Sequence, residues 1–130
     1  MGLFQSSGRL RYCDNFKIIV EIDPQIAAYY RSLIPKWYTV NQTRYVPHVT
    51  VVRNEIPKNK DAWGKHYGKK VQFEYSGWIN VGRIYYWLNV HSAELEAVRT
   101  ELGLAPTSNW SRPPSEEKCF HTTIGNRKSI

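Results

Sequence analysis

The chain has 130 residues, 42% of them hydrophobic, and a formal charge of +7. This is the size of one domain with enough apolar material for a real core, and its basic balance favours phosphate-bearing partners. No apolar run in it approaches membrane-spanning length, so no membrane partner is expected.

The first ten or so residues contain Gly and Ser and read as irregular. Phe16 to Ile22 reads as a strand, with Ile18, Val20 and Ile22 alternating against Lys17 and Glu21. Asp23-Pro24 is a helix start, Asp as N-cap and Pro in the first turn. Ile26, Tyr29, Tyr30 and Leu33 recur at helical spacing, and Pro35 stops the helix at Ile34. Tyr45 to Arg53 is the next strand. A Lys-rich loop follows from Asn54 to about Lys70 and carries Trp63 and an exposed His66.

Val71 to Val81 and Ile84 to His91 read as two strands joined by a turn over Asn80 to Arg83. Ser92 caps a helix with Leu95, Val98 and Leu102 on one side, and Gly103 ends it. Thr107 to Glu117 is a polar, Pro-rich loop. Cys119 to Gly125 is the last strand.

Two of these strands carry the same tetrapeptide pattern, His48-Val49-Thr50-Val51 and His121-Thr122-Thr123-Ile124. Residues i and i+2 of a strand share a face. His48 therefore projects beside Thr50, and His121 beside Thr123. Two imidazoles can serve as base and acid of an in-line phosphoryl transfer, and the hydroxyls can hold non-bridging phosphate oxygens. A single such motif is weak, because structural histidines on strands are common. Two in equivalent halves favour catalysis. No His or carboxylate cluster shows metal-ligand spacing, so neither a metal nor another cofactor is expected. Cys13 and Cys119 read as reduced thiols of an intracellular protein.

The paired motifs resemble the signature of the two-histidine (2H) phosphoesterase superfamily over roughly residues 16–126. Three stretches are further similar to a phage branch of anti-CBASS nucleases that degrade host cyclic oligonucleotide signals. These are Tyr29 to Lys36, Pro47 to Arg53, and Arg112-Pro113-Pro114 through Lys118 to Thr123. The resemblance implies a metal-independent phosphodiesterase that cuts 3′–5′ bonds of cyclic di- or trinucleotides in the host cytoplasm, with no protein partner. It also implies an α+β fold of one domain: two lobes, roughly 12–54 and 71–126, related by a pseudo-twofold internal duplication. Two antiparallel sheets would line a central cleft, with the helices outside. The alternatives are an RNA-end or 2′,3′-cyclic phosphate phosphodiesterase of the same superfamily, and a non-catalytic nucleotide-binding module.

Aromatic content is 14%, with nine Tyr and five Trp, which suits stacking on bases beside charged phosphates. Strand parity sends Ile84, Tyr86, Leu88 and Val90 to the helix side, and Tyr85, Trp87 and Asn89 to the cleft. Trp78 lies opposite the apolar set Val71, Phe73 and Tyr75, and falls where the resembling branch has a base-stacking aromatic. Tyr12 is a weaker candidate. The expected substrate platforms are thus Tyr12, Trp78, Tyr85 and Trp87. Arg53 is as well read as a surface residue as a ligand contact, and Arg127-Lys128 as a solvated face.

Overall fold

Seven strands form one continuous antiparallel sheet in the computed structural model, which describes residues 3–108 and 119–128. The strands are β1 (Leu3–Cys13), β2 (Lys17–Glu21), β3 (His48–Val52), β4 (Lys70–Ser76), β5 (Asn80–Val81), β6 (Tyr85–His91) and β7 (Phe120–Asn126). Helix α1 (Pro24–Ser32) lies between β2 and β3 in sequence, and α2 (Ala93–Glu101) between β6 and β7. The spatial order is β4-β1-β2-β3-β7-β6-β5. A further pairing of β4 with the end of β6, Glu74 to His91 and Tyr75 to Val90, closes six of the strands into a barrel.

The α+β class is as expected, but two separate sheets lining a cleft are not what forms. The segment read as irregular is the reason. β1 pairs with β4 along Leu3 to Arg9 and with β2 along Arg9 to Cys13, and so ties the two halves into one sheet. Gly8 marks the crossing between these partners. A Cβ there would meet the Glu21 carbonyl oxygen at 2.3 Å and Val20 Cγ1 at 2.6 Å, so glycine here serves a close approach of backbones rather than a loop. Units β2-α1-β3 and β6-α2-β7 flank the β3–β7 seam at the middle of the sheet.

The helices start and stop as their caps dictate. Asp23 Oδ1 accepts from the Gln25 N–H at 2.9 Å, with Pro24 opening α1. Ser92 Oγ accepts from the Leu95 N–H at 3.2 Å. Gly103, at φ +80°, ends the α2 segment, and the Leu104 N–H reaches back to the Arg99 carbonyl at 3.0 Å. Helix α1 buries Ala27 and Tyr30 against Tyr86, Leu88 and Ile124, whereas Tyr29 and Leu33 stay exposed. Helix α2 buries Leu95 and Val98 against the larger cluster of Leu10, Ile18, Val20, Val49 and Val71.

Four polar residues are buried among those described, Asn80, Ser92, Arg99 and Thr122, and one of them carries a charge. Arg99 is 0% exposed; it donates to the Val51 carbonyl at 2.8 Å and to the Ala105 carbonyl at 2.7 Å, and grips both carboxylate oxygens of Glu55 at 2.8 Å. It fastens α2 to the chain leaving β3. His66, read as exposed, instead holds Glu101 at 2.8 Å, with Lys65 on the other carboxylate oxygen. Hydrogen bonds from Lys65 first and His66 second hold the Glu101 carboxyl down at about 2. Cys13 and Cys119 are not bonded to each other. No helix among the described residues is long and apolar enough to cross a membrane.

Candidate active site

The seam between β3 and β7 brings the two motifs together. Val49 pairs with Thr122, and both are buried on the side that faces the core. An antiparallel ladder in that register sets His48 across from Thr123, and Thr50 across from His121. All four then stand on the opposite face. Directly opposed residues have Cβ atoms about 5 Å apart, and diagonal ones about 7–8 Å. Each histidine thus neighbours the other motif's threonine, and the two imidazoles lie on the diagonal. That spacing leaves room for a phosphate between them.

The flanking strands extend this face. Glu21 pairs with His48 and Ile19 with Thr50, while Trp87 pairs with Thr123 and Asn89 with His121. In β7 the ladder passes from Thr123 to Gly125 while β6 advances only from Trp87 to Tyr86, which leaves Ile124 as a bulge. The bulge shifts parity by one residue, so Asn126, paired with Tyr85, rejoins the motif face.

His48, Thr50, His121 and Thr123 line one open cleft of about 630 Å³. Three permanent cations also line it, Arg44, Arg53 and Lys128, and among the described residues no carboxylate does. Glu21, the nearest acidic neighbour by register, is held by Arg11 at 2.7 Å. His48 Nδ1 stands 2.9 Å from the Val46 carbonyl oxygen. A carbonyl only accepts, so Nδ1 carries the proton and the neutral ring has its lone pair on Nε2.

The far wall of the cleft is a strap of chain, residues 41–47, between α1 and β3. It is fixed to the end of β7. Asn41 and Asn126 exchange backbone hydrogen bonds of 2.8 and 3.1 Å, and Asn41 Nδ2 donates to the Lys128 carbonyl at 2.8 Å. Gly125 allows this contact: a Cβ there would lie 2.7 Å from Val40 Cγ1 and 3.1 Å from the Asn41 carbonyl oxygen. The strap contributes Arg44 and Tyr45 to the cleft. Sequence reading missed both; the signal was the length of polar and aromatic chain between Pro35 and the motif strand, long for a plain connection.

Of the four expected platforms, Tyr85 alone lines the cleft, with Lys128 Nζ 5.2 Å from its ring centroid. Lys128 is therefore part of the site rather than of a solvated face, and Arg53 is a cleft residue too. Trp87 is on the expected face but only 2% exposed, closed over by the β5–β6 turn; a Cβ on Gly82 would sit 2.8 Å from its ring. It stands beside Thr123 across the β6–β7 ladder and, so covered, offers no surface for a base. Tyr12 shares strand parity with buried Leu10, so it faces the core side, where it meets Trp63 edge-on at 5.0 Å and Tyr67 at 6.3 Å. That burial pushes its hydroxyl's pKa up. Trp78 is 60% exposed in the turn after β4 and does not line the cleft. The residues Arg112, Pro113, Pro114 and Lys118 of the third resembling stretch lie outside the described residues.

Among the described residues no group of three or more His, Cys, Asp or Glu side chains is placed to hold a metal ion. No family model, curated protein or solved structure matches the chain.

Proposed function

We propose that the chain is a metal-independent phosphodiesterase of the 2H type. It cleaves 3′–5′ phosphodiester bonds of cyclic di- or trinucleotides, and in a phage it would in this way remove a CBASS-type immune signal. The observation that carries this reading is the diagonal pair of histidines, each beside a threonine, in a cleft lined by three cations and by no described carboxylate. An anionic diester suits that cleft, and a cationic ligand does not.

In this reaction His48 Nε2 takes the proton from a ribose 2′-OH. The 2′-oxygen attacks phosphorus, the bond to the 5′-oxygen breaks, and His121 in its imidazolium form protonates the departing oxygen. A 2′,3′-cyclic phosphate results, and water can open it with the histidines exchanging roles. Thr50 and Thr123 donate to the non-bridging oxygens. Arg53, Arg44 and Lys128 offset the charge that builds on them.

Turnover tests the reading. Cyclic dinucleotides, cyclic trinucleotides, linear RNA ends and 2′,3′-cyclic mononucleotides are incubated with the protein in excess EDTA, and products are identified by mass. The cyclic ribonucleotides should open to a linear species that has gained no water, whereas analogues with 2′-deoxyribose at the scissile linkage should bind uncut. Cleavage confined to RNA ends or cyclic mononucleotides would replace the substrate. Binding without turnover would leave only a nucleotide-binding module.

A further inference from the structure

The strap that walls the cleft is fastened at both ends and open between them. At one end Asn41 and Asn126 pair through their backbones. At the other the Ile22 N–H donates to the Pro47 carbonyl at 3.0 Å, and the Val46 carbonyl meets His48 Nδ1 at 2.9 Å. Between these ties Thr43 Oγ1 donates to the Tyr45 carbonyl at 2.8 Å, a local bond that sets the bend at Arg44. Tyr45 lines the cleft and is 71% exposed. An aromatic ring placed by its backbone but left uncovered at the wall of a cleft is a surface for another flat ring. The end of β7 lies between this strap and β6, because Asn126 pairs with Asn41 on one side and with Tyr85 on the other. Two strand spacings, about 10 Å, therefore separate the backbones of Asn41 and Tyr85.

Building on the phosphodiesterase reading, we propose that this end of the cleft is a nucleobase site. One base of the substrate stacks between Tyr45 of the strap and Tyr85 of β6, while its phosphate lies over the two motifs, and Gln42 contacts the edge of the base. The spacing suits a nucleotide. From Thr123 to Asn126 is three residues of β7, at most about 10 Å of strand, and the ribose covers the step from phosphate to base. The strap also supplies a group for the base edge. Asn41 Nδ2 is used on the Lys128 carbonyl and Asn126 Oδ1 on the Lys128 N–H. The Gln42 side chain is exposed at the cleft and makes no hydrogen bond among the described residues. Its carboxamide sets a donor beside an acceptor, the pattern that pairs with a base in two bonds. Behind the strap a further hollow of about 410 Å³ separates it from α1, bordered by the same Gln42 and Tyr45. That hollow leaves the strap room to close on a ring or draw back from it.

The test uses ligands with no diester to cleave. Titration calorimetry compares adenosine 3′-monophosphate with the 3-phosphate of methyl riboside, which keeps the sugar and phosphate but has no base. Wild type should favour the nucleotide by about tenfold or more, the order of one stacked base. Tyr45→Ala should weaken the nucleotide about tenfold and leave the abasic ligand as it was, whereas Tyr45→Phe should keep the wild-type ratio. Gln42→Ala should weaken the nucleotide alone, by severalfold at most. Trp78→Ala removes an aromatic that is 60% exposed outside the cleft and should change neither affinity. The ratio is internal to each protein, so partial loss of folded material does not disturb it. A Tyr45→Ala variant that binds both ligands as wild type does, or that weakens both alike, would overturn the base site; the second result would mean that the strap only supports the cleft. A collapsed ratio in Trp78→Ala would overturn it too, by moving the base elsewhere. The phosphodiesterase reading fails separately. Base-dependent binding in a wild type that cleaves no diester would remove the reaction and keep the site, and turnover without any preference for the nucleotide would do the reverse.

Discussion

Replacing His48 by asparagine separates the proposed base from the hydrogen bond that positions it. The asparagine Nδ2–H can still donate to the Val46 carbonyl, which lies 2.9 Å from the imidazole Nδ1, but it brings no basic nitrogen to the cleft. Loss of a general base costs about 10²–10⁴ in rate, which at about 1.36 kcal/mol per tenfold is roughly 3–5 kcal/mol on the barrier. The fold should barely notice. At most one hydrogen bond of about 1 kcal/mol is disturbed, against about 5–15 kcal/mol for a domain. Single-turnover cleavage of a dinucleoside monophosphate, read by chromatography beside a thermal melt, measures both quantities. A second substrate with a p-nitrophenyl leaving group then tells base from acid. Such a group departs without a proton, so it should restore much of the rate to His121→Ala and little to His48→Asn. Activity within tenfold of wild type in His48→Asn would refute the base, and rescue of His48→Asn alone would reverse the two roles.

Arg99→Met removes a buried guanidinium and strands the Val51 and Ala105 carbonyls together with Glu55. Breaking such a pair should cost about 3–5 kcal/mol in denaturant unfolding, and a loss below about 1 kcal/mol would show that the network contributes little. Thr122 Oγ1 is buried without a hydrogen-bond partner among the described residues, so the near-isosteric Thr122→Val should be neutral or stabilising by about 1–2 kcal/mol; a destabilised variant would mean that the hydroxyl has a partner. Glu101 titrates in the folded chain at about 2, below its ordinary 4.5. Its contribution is therefore present at neutral pH and is lost as pH falls through that window. Glu101→Gln should flatten the decline of the denaturation midpoint between about pH 4.5 and 2, and an unchanged slope would remove the Lys65–Glu101–His66 cluster as its source.

The parts of the fold legible in the chain are those set by near neighbours. Period-two alternation placed His48 with Thr50 and His121 with Thr123 on a shared face, and Asp23-Pro24, Ser92 and Gly103 bounded the helices. The failures are all non-local. Gln5-Ser6-Ser7-Gly8 has the composition of a loop, and becomes strand because two other strands supply its hydrogen bonds. Parity gave Trp87 its face but could not give its depth, since the covering turn comes from Gly82. Tyr12 needed the register of a strand that composition did not reveal. Arg99 looks like an ordinary last-turn cation on α2, and only Glu55, which composition cannot place beside it, makes it a core residue.

The proposed chemistry depends on one register. A slip by one residue along the β3–β7 seam would turn one motif's histidine and threonine into the core and bring its apolar residues out to the cleft. Val49 resists this, because it is buried between Val20 and Thr122. The strap resists it too. Its Asn41–Asn126 pair is built on the end of β7, beyond the Ile124 bulge, so β7 cannot slide without breaking those bonds. The same strap walls the cleft and places Arg44 and Tyr45 beside the motifs. Thus one loop both holds the register of the histidines and helps shape the cleft that they line. This is why the long connection after α1, with no periodicity of its own, bears on the proposed function as directly as the motif strands do.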